Sequence, residues 1–419
     1  MSRFSQRTNW DVGESSFAAA VREARAAGRR LWDLTISNPT KCGFAYDAES
    51  LLAPLKDERA LAYEPEPRGL VSAREAVVRY YAGHGASIGV DDLILTTSTS
   101  EAYSFLFRLL CDAGDEVLVP QPSYPLFDFL ADLDDVRLKS YPLFYDHGWW
   151  IDRARLESAI TQRTRAVMVV HPNNPTGHWT GGAERAWLEE LCARRGLALI
   201  VDEVFLDYSL SDAPLGAGEE RITAGPSASR STNVLRSAQD DSLVAARSFA
   251  SGEHLALKFV LSGLSKIAGL PQMKAAWIAT LGPEDAKREA LARLEVIADT
   301  FLSMNAPVQL AMPRWLEGAG VIQTQIRERA RENFAALQRL AQENPERLQM
   351  LDADAGWSAV VALRGWSRED DLAELLVRER GVVVHPGGFY GMAEKNRVVV
   401  SLIGPEAEFV EGMRLAIGL

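Results

Sequence analysis

The chain has 419 residues, more than one ordinary hydrophobic core contains, so we expect two domains. Its formal net charge of −12 argues against a nucleic acid or an anionic membrane surface as partner. The cysteines Cys42, Cys111 and Cys192 are widely spaced and show neither a disulfide nor a metal pattern, so we expect a reducing compartment and no bound metal. The N-terminus has no apolar signal core, and no apolar run reaches the roughly 20 residues of a membrane span, so we expect a cytoplasmic protein.

The first 80 residues predict a helix, a strand and a turn. Residues 17–27 have the spacing of an amphipathic helix, which Gly28 ends. Residues 31–36 predict a short strand that runs into a Ser-Asn-Pro-Thr turn. Residues 63–76 then place Tyr63 ahead of a Gly-Leu pair and an Arg-Glu-Ala sequence.

Residues 93–102 predict a strand that enters a helix through small hydroxyl residues. Free backbone N–H groups at a helix start bind phosphate, and Thr99 and Ser100 lie where they would contribute N–H groups and hydroxyls. The alternative is ordinary capping of the helix by Ser or Thr. A second strand follows and ends in Pro-Ser-Tyr-Pro, which contains Tyr124, either a ligand-stacking ring or a core aromatic.

Two further buried strands are predicted at residues 167–170 and 197–201, and each ends in polar residues. The first runs into His-Pro-Asn-Asn-Pro-Thr-Gly, which contains Asn174, and this could equally be a plain strand-to-helix turn. The second ends at Asp202, at the edge where open α/β sheets bind ligands, although Asp202 could instead cap a turn. Strands alternating with helical patterns predict a mainly parallel sheet.

Residues 212–253 are rich in Ser, Ala, Gly, Arg and Asp and poor in large apolar residues. We expect a mobile surface insertion here rather than a lid over an active site. Lys266 follows in a small, mostly apolar stretch that ends at Lys274. Poor solvation there favours a neutral amine, which a Schiff-base nucleophile requires. The alternative is an exposed helix lysine. The remainder predicts a long helical region and then short strands and helices.

In this order, Tyr63, Tyr124, Asn174, Asp202 and Lys266 resemble the motifs of the class I/II aminotransferases, which use pyridoxal 5′-phosphate (PLP). The resemblance runs from about residue 30 to the C-terminus. It implies an α/β protein of PLP fold type I, with a mainly parallel seven-stranded sheet between helices in a large domain of residues 49–302. Residues 1–48 and 303–419 would form a smaller α+β domain.

The resemblance also implies a role for each motif. Lys266 would carry PLP as a Schiff base, and Asp202 would hold the pyridine nitrogen protonated so that the ring acts as an electron sink. It implies that Asn174 contacts the PLP phenolic oxygen and the substrate, and that Tyr124 stacks on the PLP ring. Thr99, Ser100 and Lys274 would bind the phosphate, and Ser265 would also contact the cofactor. Tyr63 would reach the phosphate in the neighbouring subunit of a homodimer.

The chain departs from the family pattern at two positions. Phe205 stands where most members have the tyrosine whose hydroxyl donates to the PLP phenolate, and Tyr208 lies too far along to replace it on a strand. Val399 stands where the family has the arginine that binds the substrate carboxylate. Arg397 faces the same side of a strand two residues earlier, so it is either the replacement or an ordinary surface arginine.

We therefore predict a PLP-dependent aminotransferase that moves an amino group from an amino acid to a 2-oxo acid. A PLP-dependent C–S β-lyase would use the same Lys266 and Asp202, and the sequence does not separate the two reactions. A non-catalytic PLP-binding regulator is the alternative from another class. Such proteins carry a DNA-binding domain ahead of this fold, and the roughly 30 residues before the resemblance and the net negative charge disfavour it.

Overall fold

The computed structural model describes residues 3–211, 247–302, 304–366 and 371–419. Its α-helices, numbered in chain order, are α1 (Ser16–Ala26), α2 (Ala48–Leu52), α3 (Val71–Ala82), α4 (Thr99–Leu110), α5 (Leu126–Leu133), α6 (Arg153–Ala159), α7 (Gly182–Arg195), α8 (Leu264–Ile267), α9 (Glu284–Phe301), α10 (Ala306–Glu317), α11 (Ala319–Glu343), α12 (Leu372–Leu375) and α13 (Glu406–Ala416). None of the helices in these ranges is long and apolar enough to cross a bilayer.

The strands are β1 (Trp32–Asp33), β2 (Leu93–Thr96), β3 (Glu116–Gln121), β4 (Arg137–Tyr145), β5 (Trp149–Ile151), β6 (Thr164–Val170), β7 (Ala198–Asp202), β8 (Lys258–Gly263), β9 (Ala276–Leu281), β10 (Leu348–Met350), β11 (Ser358–Leu363), β12 (Val382–Val383), β13 (His385–Pro386) and β14 (Arg397–Ser401). The large sheet has the order β2-β9-β8-β7-β6-β3-β4-β5. Adjacent strands from β8 to β4 run parallel, whereas β9 and β5 are antiparallel to their neighbours.

Apolar side chains cover both faces of the large sheet. Strand β7 shows the pattern, because Leu199 and Val201 join one core while Ala198 and Ile200 join the other. Helices α3, α7 and α10 cover the first face, and α4, α5 and α9 cover the second. A sheet buried on both faces explains why its central strands are continuous apolar runs in the sequence.

A separate core lies around the antiparallel sheet β10-β11-β14-β13 and helices α11 and α13. The N-terminal strand β1 pairs in parallel with β12, with Trp32 opposite Val382. The chain therefore brings residues 32–33 back to its C-terminal third. The domain boundaries after residues 48 and 302 stay predictions.

The expected α/β class with a mainly parallel sheet is confirmed. The seven expected strands are joined by an eighth, the three-residue β5, which forms a hairpin with β4. The expected strand at residues 31–36 is shorter, with only Trp32 and Asp33 paired. Most of the predicted insertion at residues 212–253 lies outside the described residues, and only its last part, residues 247–253, is described.

Candidate active site

A cavity of about 580 Å³ lies at the carboxyl end of the large sheet. We call two groups of its lining residues the sheet floor and the outer wall. The sheet floor consists of Thr99, Ser100, Asn174, Asp202, Lys266 and Lys274. The outer wall consists of Thr35, Ser37, Ser358, His385, Val399 and Ser401.

Strand register explains why the sheet floor assembles. Thr96 pairs with Ala276, which also pairs with Gly263, so the turns after β2, before β9 and after β8 meet at one edge. Asp202 pairs with Leu261 and with Val170 on either side. Residues that are distant in the chain thus reach one line across the sheet, because parallel strands end together.

Lys266 lies on the one-turn helix α8, immediately after β8. Its Nζ is 5.1 Å from the ring centre of Trp357 and 5.7 Å from that of Phe205. Burial lowers the pKa of the Lys266 amine, and the charge of Asp202 opposes this only in part. The expected neutral nucleophile therefore has a physical cause in the structure.

Asp202 is the last residue of β7 and is only 6% exposed. One carboxylate oxygen accepts a hydrogen bond of 2.7 Å from the Tyr103 hydroxyl, and the other accepts one of 3.0 Å from the Val204 N–H. Burial raises the pKa of this carboxyl, while the two hydrogen bonds and the charge of Lys266 lower it. A ligand carrying a proton on a ring nitrogen would give the carboxylate a buried partner.

The other end of the sheet floor is rich in hydrogen-bond donors. Helix α4 begins at Thr99, and the Ser98 hydroxyl caps it by accepting from the Glu101 N–H at 3.1 Å. The first N–H groups of a helix have no acceptor within the helix, so those of Thr99 and Ser100 suit an anion. Ser265 and the Lys274 ammonium also line the cavity and add a hydroxyl and a positive charge.

Asn174 and Tyr124 complete the predicted set in the cavity lining. Asn174 follows β6, and Tyr124 follows β3 and packs edge-on against Phe127, with ring centres 6.2 Å apart. The N–H of the neighbouring Ser123 donates to the Tyr390 carbonyl at 3.1 Å. That hydrogen bond ties the Tyr124 turn to the C-terminal part of the chain.

Tyr63 and Arg397 do not line the cavity. Tyr63 is 82% exposed on the surface. Arg397 forms an ion pair with Glu394 at 3.0 Å, so its guanidinium already has a carboxylate. Strand periodicity placed Arg397 on the same side of the strand as Val399. The Arg397 side chain does not extend into the cavity, as binding a substrate there would require.

Phe205, one of the two departures from the family pattern, lies beside Lys266. Phe205 lines the cavity and packs edge-on against Trp357, with ring centres 5.1 Å apart. The chain turns after Asp202 instead of continuing as a strand. Tyr208 is thereby buried behind the site, where its hydroxyl donates to the Lys266 carbonyl at 2.5 Å. Tyr208 positions the lysine segment and does not line the cavity.

The residue after Asp202, Glu203, is fully buried and binds the chain at residues 248 and 249, close to where the described part resumes at residue 247. Its carboxylate accepts from the Ser248 hydroxyl at 2.7 Å and from the Phe249 N–H at 2.6 Å. Arg185 donates to the Ser248 carbonyl at 2.8 Å. Burial raises the pKa of Glu203 to about 7, although these hydrogen bonds oppose the rise.

The chain is also held just before residue 212. Arg331 donates to the carbonyl of Ser211 at 3.0 Å, and the Leu210 N–H donates to the Asp354 carbonyl at 3.0 Å. The two sides of the 212–246 segment are therefore both fixed to the body of the protein.

Sequence reasoning missed Tyr103, Trp357 and most of the outer wall. Tyr103 carried a usable signal, because it lies four residues after Thr99 and so one turn along the same helix. Trp357 lies more than 80 residues from Lys266 in the chain, and only the packing of the two cores brings them together.

Comparison with known proteins gives a consistent family. The model of the family "Aminotransferase class I and II" matches residues 9–409. The chain belongs to this family. Alanine aminotransferase of Mycobacterium tuberculosis is 31% identical over 299 residues, which cover 70% of this chain and 62% of that protein. Glutamate-pyruvate aminotransferase AlaA of Haemophilus influenzae is 27% identical over 292 residues, covering 70% of this chain and 65% of that protein.

Solved structures of the family share the fold over nearly the whole chain. Alanine aminotransferase from Pyrococcus furiosus has a TM-score of 0.80 at 20% identity, covering 99% of this chain and 98% of that one. A double mutant of Thermus thermophilus aspartate aminotransferase has a TM-score of 0.78 at 21% identity, covering 100% of this chain and 99% of that one.

Proposed function

We propose that this family member is a PLP-dependent aminotransferase that transfers an amino group from an amino donor, in the first instance an amino acid, to a 2-oxo acid. The observation that carries the proposal is the sheet floor, which gathers a buried amine, a buried acid and an anion-binding helix start in one cavity. The names of the relatives, alanine aminotransferase and glutamate-pyruvate aminotransferase, support the same reaction.

The sheet floor fits PLP at each of its polar groups. The N–H groups of Thr99 and Ser100, with Lys274 and Ser265, match the phosphate. Asp202 is a buried carboxylate with two hydrogen-bond donors and no cation within ion-pair distance among the described residues, so it suits a protonated ring nitrogen. Lys266 offers an amine whose pKa is lowered, which suits covalent attachment to the aldehyde.

Each of these residues would then have its own role in the reaction. PLP, when bound, supplies the aldehyde carbon that takes the amino nitrogen and the ring that accepts electrons from the substrate. Lys266 Nζ would act as the general base that takes the proton from the amino-bearing carbon of the substrate. Asp202 keeps the ring nitrogen protonated, and Tyr103 keeps Asp202 in place. Trp357 and Phe205 exclude water around the amine.

The test is the visible absorbance of the PLP-loaded protein during titration with single amino donors, followed by a 2-oxo acid. Loss of the band with a donor and its return with the 2-oxo acid is the expected result. A band that persists while ammonia and a 2-oxo acid accumulate would identify a β-lyase instead. A band that no amino compound changes would refute both reactions.

We also propose that the protein is a cytoplasmic homodimer in which Tyr63 binds the PLP phosphate of the other subunit. The exposure of Tyr63 is accompanied by exposed apolar side chains nearby in the sequence, Leu61 at 89%, Leu52 at 51% and Val71 at 49%. A surface of this kind is typical of an interface. Sedimentation should give a dimer, and Tyr63→Phe should bind PLP more weakly while remaining dimeric. Unchanged PLP affinity would refute the role of Tyr63.

A further inference from the structure

The outer wall of the cavity is chemically unlike the sheet floor. It is built from the turn after β1, the start of β11 and the short strands β13 and β14. Four of its six members carry hydroxyl groups, and the other two are Val399 and His385. A substrate held against the sheet floor must present its remaining groups to this wall.

Val399 and His385 form the centre of the outer wall. They are directly paired across the antiparallel strands β14 and β13, so their side chains project on the same side of the sheet. Val399 is only 1% exposed, and its other neighbour in the sheet is Val360. The surface at this point is therefore a packed aliphatic group beside an imidazole.

The outer wall has no fixed positive charge. Among the described residues, the only cationic or titratable basic side chains lining the cavity are Lys266, Lys274 and His385, and the two lysines belong to the sheet floor. Burial lowers the pKa of His385, although Asp33 and the Thr35 backbone oppose this, and the lowered pKa favours the neutral ring. The arginine that the sequence offered, Arg397, is paired with Glu394 outside the cavity.

The charge behind the outer wall is negative. The Thr35 hydroxyl and N–H both donate to one oxygen of Asp33, at 2.5 and 3.0 Å. The Asp33 charge also acts on His385, whose ring is hydrogen-bonded to the Thr35 backbone. Arg25 reaches the second oxygen of Asp33 at 3.4 Å, but it is largely exposed, and such surface pairs are weak. A carboxylate placed against this wall would lose water without gaining a cation.

A hydroxyl group suits the same wall better. Ser37, Ser358 and Ser401 each present one donor and two acceptor lone pairs. The neutral His385 ring, whose N–H donates to the Thr35 backbone, adds one acceptor nitrogen. Hydrogen bonds between such neutral groups do not require a counter-ion. Loss of the charge also removes the repulsion from Asp33.

We infer that the enzyme takes 2-amino alcohols as amino donors at least as readily as the amino acids of the same carbon skeleton. This inference rests on the proposed function and narrows its donor class. The donor R–CH(NH2)–CH2OH becomes the hydroxyketone R–CO–CH2OH, and the 2-oxo acid becomes the amino acid. The C–N and C–H bonds broken in the donor are remade in the acceptor, so no external oxidant is needed.

Three matched donors test the inference on the PLP-loaded protein: L-alaninol, L-alanine and isopropylamine, which carry CH2OH, a carboxylate and CH3 at the same position. Saturation of the absorbance change gives a dissociation constant and a rate for each. We expect kcat/KM for L-alaninol to equal or exceed that for L-alanine, because the carboxylate finds no cation on the wall. It should exceed that for isopropylamine roughly tenfold, because the CH3 group cannot hydrogen-bond to the wall.

A kcat/KM for L-alanine that exceeds the value for L-alaninol would overturn the inference and leave the aminotransferase proposal standing. If none of the three donors, nor any other amino compound, changes the band, the aminotransferase proposal fails and the inference fails with it.

A substitution in the wall gives a second test. Val399→Arg should raise the ratio of kcat/KM for L-alanine to that for L-alaninol by about tenfold or more, since it supplies the missing cation. Val399→Leu is the matched control and should leave the ratio unchanged. A folded, PLP-binding Val399→Arg protein with an unchanged ratio would show that Val399 does not face the substrate and would overturn the inference.

Discussion

The sheet floor and the outer wall of one cavity follow different chemical rules. The sheet floor carries ionisable groups next to the ends of neighbouring strands: the carboxylate of Asp202, the ammonium of Lys274 and the amine of Lys266, whose pKa is lowered by burial. The outer wall is neutral, with hydroxyl groups, an imidazole whose pKa is lowered by burial, and Val399. If the outer wall selects the substrate as we infer, the groups suited to a cofactor and the groups that contact the substrate lie on separate parts of the fold. One set can then change while the other is kept.

The largest effect should come from breaking the sheet floor at Lys266. Lys266→Ala removes the covalent attachment and the general base, so we expect loss of the cofactor's visible band and a rate lower by about 10² to 10⁴. Lys287→Ala is the control and should keep both, because Lys287 lies on α9, pairs with Asp92 and Glu284, and does not line the cavity. A Lys266→Ala protein that retained the band would place the attachment elsewhere.

The free energy of unfolding should depend on pH through Glu203, the buried residue that follows Asp202. Its pKa is raised by burial from 4.5 to about 7, so its contribution to the free energy of unfolding is present below pH 4.5 and is lost as pH rises through about 7. The difference corresponds to ~3 kcal/mol at most. Chemical denaturation at pH 5 and pH 8 should show that Glu203→Gln removes this part of the decline. Parallel pH profiles for the two proteins would contradict the raised pKa.

A smaller effect is expected from Phe205, one of the two aromatic residues beside the Lys266 amine. Phe205→Tyr adds a hydroxyl that would donate to the PLP phenolate, which favours the deprotonated form of the bound cofactor. The pH at which the visible band changes should fall by roughly one unit, as expected for one hydrogen bond to a charged group. Phe205→Leu lacks a donor and is the control. A shift of the same size in both variants would point to packing instead.

The smallest effect should come from Arg397, which the sequence proposed for the outer wall. Because its guanidinium is paired with Glu394, Arg397→Gln should change the preference between L-alanine and L-alaninol by less than about twofold. A larger drop for L-alanine alone would show that Arg397 leaves Glu394 to bind the substrate carboxylate.

The same division explains how much the sequence could predict. The residues of the sheet floor could be predicted from the sequence, because each lies close to the end of a strand or the start of a helix. Local patterns mark such positions, for example the Ser and Thr run at the start of α4 and the apolar runs that end at Asp202 and before Asn174. The alternation of strands and helices gave the parallel sheet. These are local signals, and register brings them together.

The residues of the outer wall could not be predicted from local sequence patterns in this way. His385 and Val399 meet only because β13 and β14 pair, and Ser37 joins them only because β1 returns to β12. Arg397 shows the limit of a local pattern, since periodicity assigned the side of the strand correctly but carried no information about Glu394. The burial of Tyr208 behind the Lys266 segment was also not predicted, because it depends on the turn that the chain makes after Asp202.

The anchors on either side of residues 212–246 make that stretch a place to modify the protein. Arg331 fixes the chain at Ser211, and Glu203 and Arg185 fix it again at Ser248. The cost of closing a loop between two fixed ends grows only slowly with its length. An affinity tag or a fluorescent reporter inserted between the anchors should therefore leave the cavity intact, which provides a way to immobilise the protein without blocking either terminus.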